Sequence, residues 1–157
     1  MDDFTTTRFS CIAASINKPS LSTLKRLHFY FESDTHCDIS VFVGGIHEEL
    51  DILSGLPNVI EEIVIEVRIT NYSQADFRSV WGTLDTVLSN GFPMLRRVSL
   101  DIQMSAKLDD VTEGRVKEEL DEIPTRYLPW LSNTKNVLFS FLTKVVIITQ
   151  HDLLVGF

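Results

Sequence analysis

Apolar residues in the middle of this chain recur with two periods in succession. Phe77, Val80, Trp81, Leu84, Val87 and Leu88 follow helical spacing and form one continuous stripe. That stripe predicts a helix over Ser73–Asn90, with Ser73 as N-cap and Asp76 near the positive end of the helix dipole. Asn90-Gly91 supplies a left-handed stop, and Pro93 prevents continuation. The period then changes to two. Val98, Leu100 and Ile102 alternate with Ser99 and Asp101, which predicts a strand over Met94–Ile102 with one face buried.

The same alternation appears on both sides of this unit. Leu24, Leu27, Phe29 and Phe31 match Leu95, Val98, Leu100 and Ile102, and Lys25-Arg26 matches Arg96-Arg97. A polar stretch follows, Glu32 to Asp38, and then Ile39–Val43, which reads as a short strand or the approach to a helix. Gly44-Gly45 breaks that run. Ile46, Leu50, Leu53 and Leu56 then mark a helix, with His47-Glu48-Glu49 in its first turn and Gly55 near its end. Pro57-Asn58 opens another strand, with Ile63, Ile65, Val67 and Ile69 on one face and Glu62, Val64, Glu66 and Arg68 on the other. Val59 takes the place of Leu24 and Leu95 if one extra residue is allowed before Ile63. The anchors then recur at roughly three dozen residues, the length of a strand–helix repeat.

After Ile102, a loop over Ser105–Asp110 leads to a weaker helix marked by Val116, Leu120 and Ile123. Glu118, Glu119 and Glu122 lie on its outer face, and Pro124 stops it. Tyr127–Leu131 reads as a packed turn or short helix, and a last apolar segment ends with Leu142–Ile148, close to the repeat pattern. The domain reading is an N-terminal arm or partial repeat over 1–20, a repeat domain over 21–149, and a tail over 150–157.

Strands separated by helices of this length imply right-handed crossovers and a parallel sheet. Only one face of each strand is apolar, so helices should cover one face and leave the other exposed. The fold class expected is therefore α/β, a leucine-rich-repeat-like open solenoid. Leu24-x-x-Leu27-x-Phe29, Leu95-x-x-Val98-x-Leu100, the Phe92-Pro93-x-Leu95 lead-in and Trp81-x-x-Leu84-Asp85-x-x-Leu88 carry a family resemblance. Over about Leu21 to Ile148 the chain resembles the degenerate leucine-rich-repeat region of fungal F-box-like proteins. That resemblance implies a substrate-recognition surface of the kind that serves ubiquitin ligases. No N-terminal F-box helices are found, and no Asn stands at the usual turn after each strand.

Composition narrows the function classes. At 157 residues, 44% apolar and 23% charged, the chain suits one globular domain. A formal charge of −8 argues against nucleic acid and anionic membrane as partners, and no basic patch stands out along the chain. Cys11 and Cys37 are the only cysteines, and Met1-Asp2-Asp3 lacks the features of a signal peptide. The expectation is a cytoplasmic or nuclear protein with reduced thiols.

Aligning the repeats places polar residues of the exposed face in lateral rows. The first is His28, Val64 and Ser99. The second is Tyr30, Glu66 and Asp101, and the third Glu32, Arg68 and Gln103. In a solenoid this is the concave surface, where partners bind. Tyr30, Glu66, Arg68, Asp101 and Gln103 are thus the candidate binding residues, suited to a protein partner with a basic or mixed-charge surface. An ordinary solvated sheet face is the alternative.

The densest set of nucleophiles and ligands is Asp34-Thr35-His36-Cys37-Asp38 with His47-Glu48-Glu49. It contains no Cys-x-x-Cys and no His-Glu-x-x-His, and it reads as a polar loop and the first turn of an acidic helix. Gly44-Gly45 is followed by glutamates rather than lysine, which disfavours a phosphate cradle. No cofactor, metal site or catalytic residue is expected. The reading is a non-catalytic protein-interaction module. The alternatives are a small α/β enzyme using His36, Cys37 and His47, or a structural fragment of a larger chain.

Overall fold

Alternating side-chain direction and helical stripes resolve into five parallel strands and five helices in the computed structural model, which describes residues 3–6, 21–33, 39–70, 81–107 and 113–148. The order is β1 (Asp3–Thr6), β2 (Arg26–Ser33), α1 (Ile39–Ser54), β3 (Glu62–Thr70), α2 (Trp81–Ser89) and β4 (Arg97–Lys107). Then come α3 (Glu113–Asp121), α4 (Ile123–Tyr127), α5 (Pro129–Asn133) and β5 (Leu138–Ile148). Neighbours in the sheet are neighbours in sequence, β1-β2-β3-β4-β5, and every pairing is parallel. The sheet is open, with β5 at one edge.

Register brings the matched strand positions side by side and corrects one anchor. Leu27, Ile63, Val98 and Phe139 stand side by side across β2 to β5. Counting back three residues from Leu27, Ile63 and Val98 gives Leu24, Ile60 and Leu95, all buried. Ile60, not Val59, is therefore the anchor, and no extra residue is needed. The strand entries repeat as well. Lys25 O accepts from the amides of Glu61 and Glu62, and Glu61 O accepts from those of Arg96 and Arg97. Arg96 O accepts from Leu138 N.

Helices contribute to a single core against one face of the sheet. Phe29, Ile63, Ile65, Val67, Val98, Leu100, Ile102 and Met104 pack there with Phe42, Ile46, Leu50 and Leu53 of α1 and with Trp81, Leu84 and Leu88 of α2. Leu120, Ile123 and Leu131 extend the same cluster from the last three helices. Phe31 of β2 stacks on Phe42 of α1 with ring centroids 4.4 Å apart. Burying apolar surface on one side only satisfies the alternating strands β2 to β4, whose other side chains are charged or polar apart from Val64.

Several elements differ from the sequence expectation for physical reasons. The Ile39–Val43 run is neither a short strand nor an approach to a helix but the first turns of one: α1 runs unbroken from Ile39 through Gly44-Gly45 to Ser54. Glycine weakens a helix but does not end it when tertiary packing holds it, and Phe42, Val43 and Ile46 anchor both sides of the pair. β4 starts at Arg97, later than Met94, and continues to Lys107, through the start of the segment expected to be a loop. Pro124 does not merely stop α3. It sits in the first turn of α4, where its missing N–H costs nothing. Tyr127–Leu131 resolves as the end of α4 and the start of α5. Asp3–Thr6 is a strand beside β2, with Phe4 opposite Leu27. Ser73 and Asp76, residues 7–20 and the tail lie outside the described residues.

Two buried polar side chains join neighbouring units. The Asn58 amide donates to the carbonyls of Leu53 (3.3 Å), Leu56 (3.1 Å) and Gly91 (2.9 Å), tying the end of α1 to the turn after α2. Asp85 of α2 accepts from Trp130 N at 2.9 Å and Leu131 N at 3.0 Å. It thus caps α5, whose own N-cap residue is Leu128 and offers no oxygen.

Candidate functional site: the open sheet face

Every second residue of β2 to β5 points away from the helices. The registers assemble these residues into rows that cross the sheet. Arg26, Glu62, Arg97 and Leu138 form one row, and His28, Val64, Ser99 and Ser140 the next. Tyr30, Glu66, Asp101 and Leu142 form the third, and Glu32, Arg68, Gln103 and Lys144 the fourth. The five candidate residues Tyr30, Glu66, Arg68, Asp101 and Gln103 therefore share one face and two adjacent rows, in the order expected from repeat alignment.

Charges on this face are paired across strands. Arg26 Nε lies 3.3 Å from Glu62 Oε2. His28 Nε2 lies 3.3 Å from Glu66 Oε2, off the line of a hydrogen bond, so their attraction is electrostatic when the imidazole is protonated. Arg68 Nη2 lies 3.3 Å from Asp101 Oδ2. The last two pairs run diagonally, each from one row to its neighbour on the next strand. The Tyr30 hydroxyl donates to Glu32 Oε2 at 2.9 Å. That hydrogen bond, with partial burial, raises the phenol above its ordinary value. Cations and carboxylates are consequently interspersed between neighbouring rows, with Glu66 and Asp101 side by side in the third.

No family model, curated protein or solved structure matches this chain. The site is therefore read from its own geometry.

Sequence reasoning missed the contribution of β5. Leu138-Phe139-Ser140-Phe141-Leu142 is apolar in both phases, so periodicity alone assigns it no inner face. The structure puts Phe139 and Phe141 inward and leaves Leu138 67% and Leu142 62% exposed on the open face. The other candidate cluster is not assembled among the described residues. His47, Glu48 and Glu49 lie on α1, while Asp34 to Asp38, with His36 and Cys37, fall outside them. Among the described residues no group of three or more His, Cys, Asp or Glu side chains is placed to hold a metal ion. No described helix is long and apolar enough to cross a membrane.

Proposed function

We propose that this chain is a non-catalytic protein-binding module of the leucine-rich-repeat-like kind, with the open sheet face as its partner surface. One observation carries this reading. Four consecutive parallel strands display their outward side chains in unbroken lateral rows that no described helix covers. Such a broad, regular face suits recognition of another protein better than a small substrate. Its resemblance to substrate-recognition regions of F-box-like ubiquitin-ligase adaptors points the same way. The internal pairing of Glu66 with His28 and Asp101 with Arg68 favours a mixed-charge partner over a purely basic one. A mixed-charge partner can match alternating signs and choose register by them.

Affinity capture from cell extract tests the reading, with Tyr30→Ala/Glu66→Lys/Asp101→Lys as the comparison. The triple variant removes the central aromatic and reverses two partly exposed carboxylates outside the core, so its circular dichroism should match the native chain. A captured partner should be reduced by about tenfold or more, because reversed charges then oppose the partner's. Equal recovery by both proteins would leave the face an ordinary solvated surface.

A further inference from the structure

The outer edge of β5 differs from the rest of the sheet in three ways at once. It is a strand of 11 residues at the edge of the sheet, with backbone groups that no described strand pairs. Its open face carries Leu138 and Leu142, both more than half exposed, in place of the charged residues of β2 to β4. Several cations around it have no carboxylate partner among the described residues. Lys25, Arg26 and Arg68 are each engaged by a carboxylate, whereas Arg97 and Lys144 make no ion pair among the described residues. Neither do Arg96, at the entry to β4, and Lys135, just before β5.

Arg97, on β4 one strand in from the edge, sits beside Leu138, and Lys144 follows Leu142 on β5, so both cations adjoin the exposed leucines on one face. The opposite face of β5 is already engaged. Thr143 donates to Asp121 Oδ1 at 2.9 Å and also accepts from Lys117 of α3. The sequence shows no basic patch because these four cations come from stretches about forty residues apart that only the β4–β5 pairing joins.

We propose that the edge of β5 takes an extended, acidic-and-apolar segment of another protein as an added strand. Backbone hydrogen bonds to the open edge would supply affinity, and alternate side chains of the incoming strand would supply selectivity. Apolar residues of the segment cover Leu138 and Leu142, and carboxylates at its ends meet Lys144 directly and Arg97 where its long side chain reaches across Leu138. A second copy of this chain fits less well. From Leu138 to Ile148 β5 contains no acidic residue, so self-pairing would offer Lys144 no carboxylate and would join two chains each of charge −8. This inference rests on reading the chain as a binding module, but none of its residues is among Tyr30, Glu66, Arg68, Asp101 and Gln103.

The test is fluorescence anisotropy with the full chain and two labelled peptides. One alternates Thr with a central pair of Val and terminal Glu, and the other replaces each Glu by Lys. The acidic peptide should bind saturably, more weakly as salt rises, and about tenfold more weakly to Arg97→Glu/Lys144→Glu. Leu138→Ser/Leu142→Ser should weaken it comparably, with circular dichroism unchanged because both leucines are exposed. The Tyr30→Ala/Glu66→Lys/Asp101→Lys variant should keep its affinity for the acidic peptide or gain some, since its two added lysines lie on the same face and the one at position 101 would adjoin Leu142. Equal binding of the Lys peptide, absence of saturable binding, or indifference to the β5 variants would overturn the proposal. So would a β5-dependent dimer, seen by sedimentation, that excludes the peptide. Loss of peptide binding in the central-row variant alone would move the site to the rows and overturn it as well. Failure of the capture experiment above would leave these outcomes readable on their own.

Discussion

Replacing Gly91 by alanine is expected to destabilise this protein by about 3–4 kcal/mol, the sum of two independent effects. Gly91 closes α2 with φ of 95°, a conformation that side chains rarely adopt. The space is also taken. A Cβ at Gly91 would stand 2.4 Å from Ser54 Cβ, 2.8 Å from Ser54 O and 2.9 Å from Ser54 Cα. Two of those three atoms are backbone, so relief requires the end of α1 to move. Such a movement pulls on the Asn58 amide, which bonds both Leu53 O and Gly91 O. A drop in melting temperature of roughly 10 °C follows for a domain of this size. Gly44→Ala is the matched control, since its Cβ would meet nothing within 4 Å and the site is helical. It should leave stability unchanged or raise it by up to about 1 kcal/mol. A Gly91→Ala protein as stable as the native chain would mean that α1 and the turn after α2 do not meet as described.

Asp85→Ala is expected to cost about 2–4 kcal/mol in urea unfolding, because it orphans two amides at the start of α5. Those amides sit where only the residue before a helix normally helps, and Leu128 cannot. Asp85→Asn keeps one acceptor oxygen but turns an NH2 group toward the second amide. Its loss should therefore be intermediate, about 1–2 kcal/mol. The consequence reaches beyond α5. Leu131 is part of the core that backs the sheet, so loosening this helix should speed amide exchange in α5 before it does in β3. A loss below about 0.5 kcal/mol for Asp85→Ala would show that the cap is dispensable.

Much of this architecture was legible in the chain because one period of two recurs with the same anchors. Leu27, Ile63 and Val98 belong to matching patterns, and the rows Tyr30-Glu66-Asp101 and Glu32-Arg68-Gln103 follow once those patterns are superposed. What was not legible depends on contacts that periodicity does not encode. Gly44-Gly45 looked like a break because propensity favours one, yet the apolar stripe of α1 continues across it into the core. Val59 and Ile60 are adjacent apolar residues, and only the register distinguishes the anchor. β5 is apolar on both sides, which conceals its inner face and with it the exposed Leu138 and Leu142. The pairing of His28 with Glu66 and of Arg68 with Asp101 is diagonal, so row alignment alone did not show it. Asp85 carried no signal of its own, since its two amides lie 45 and 46 residues away.

Thiol labelling along β4 tests the open face most directly. Single cysteines at Ser99 and Gln103 point away from the helices, while those at Leu100 and Ile102 point into the core. In a background with Cys11 and Cys37 replaced by serine, the first two should label on the order of a hundredfold faster than the second two. Equal, slow labelling of all four would mean that a second layer covers the face and would contradict the account.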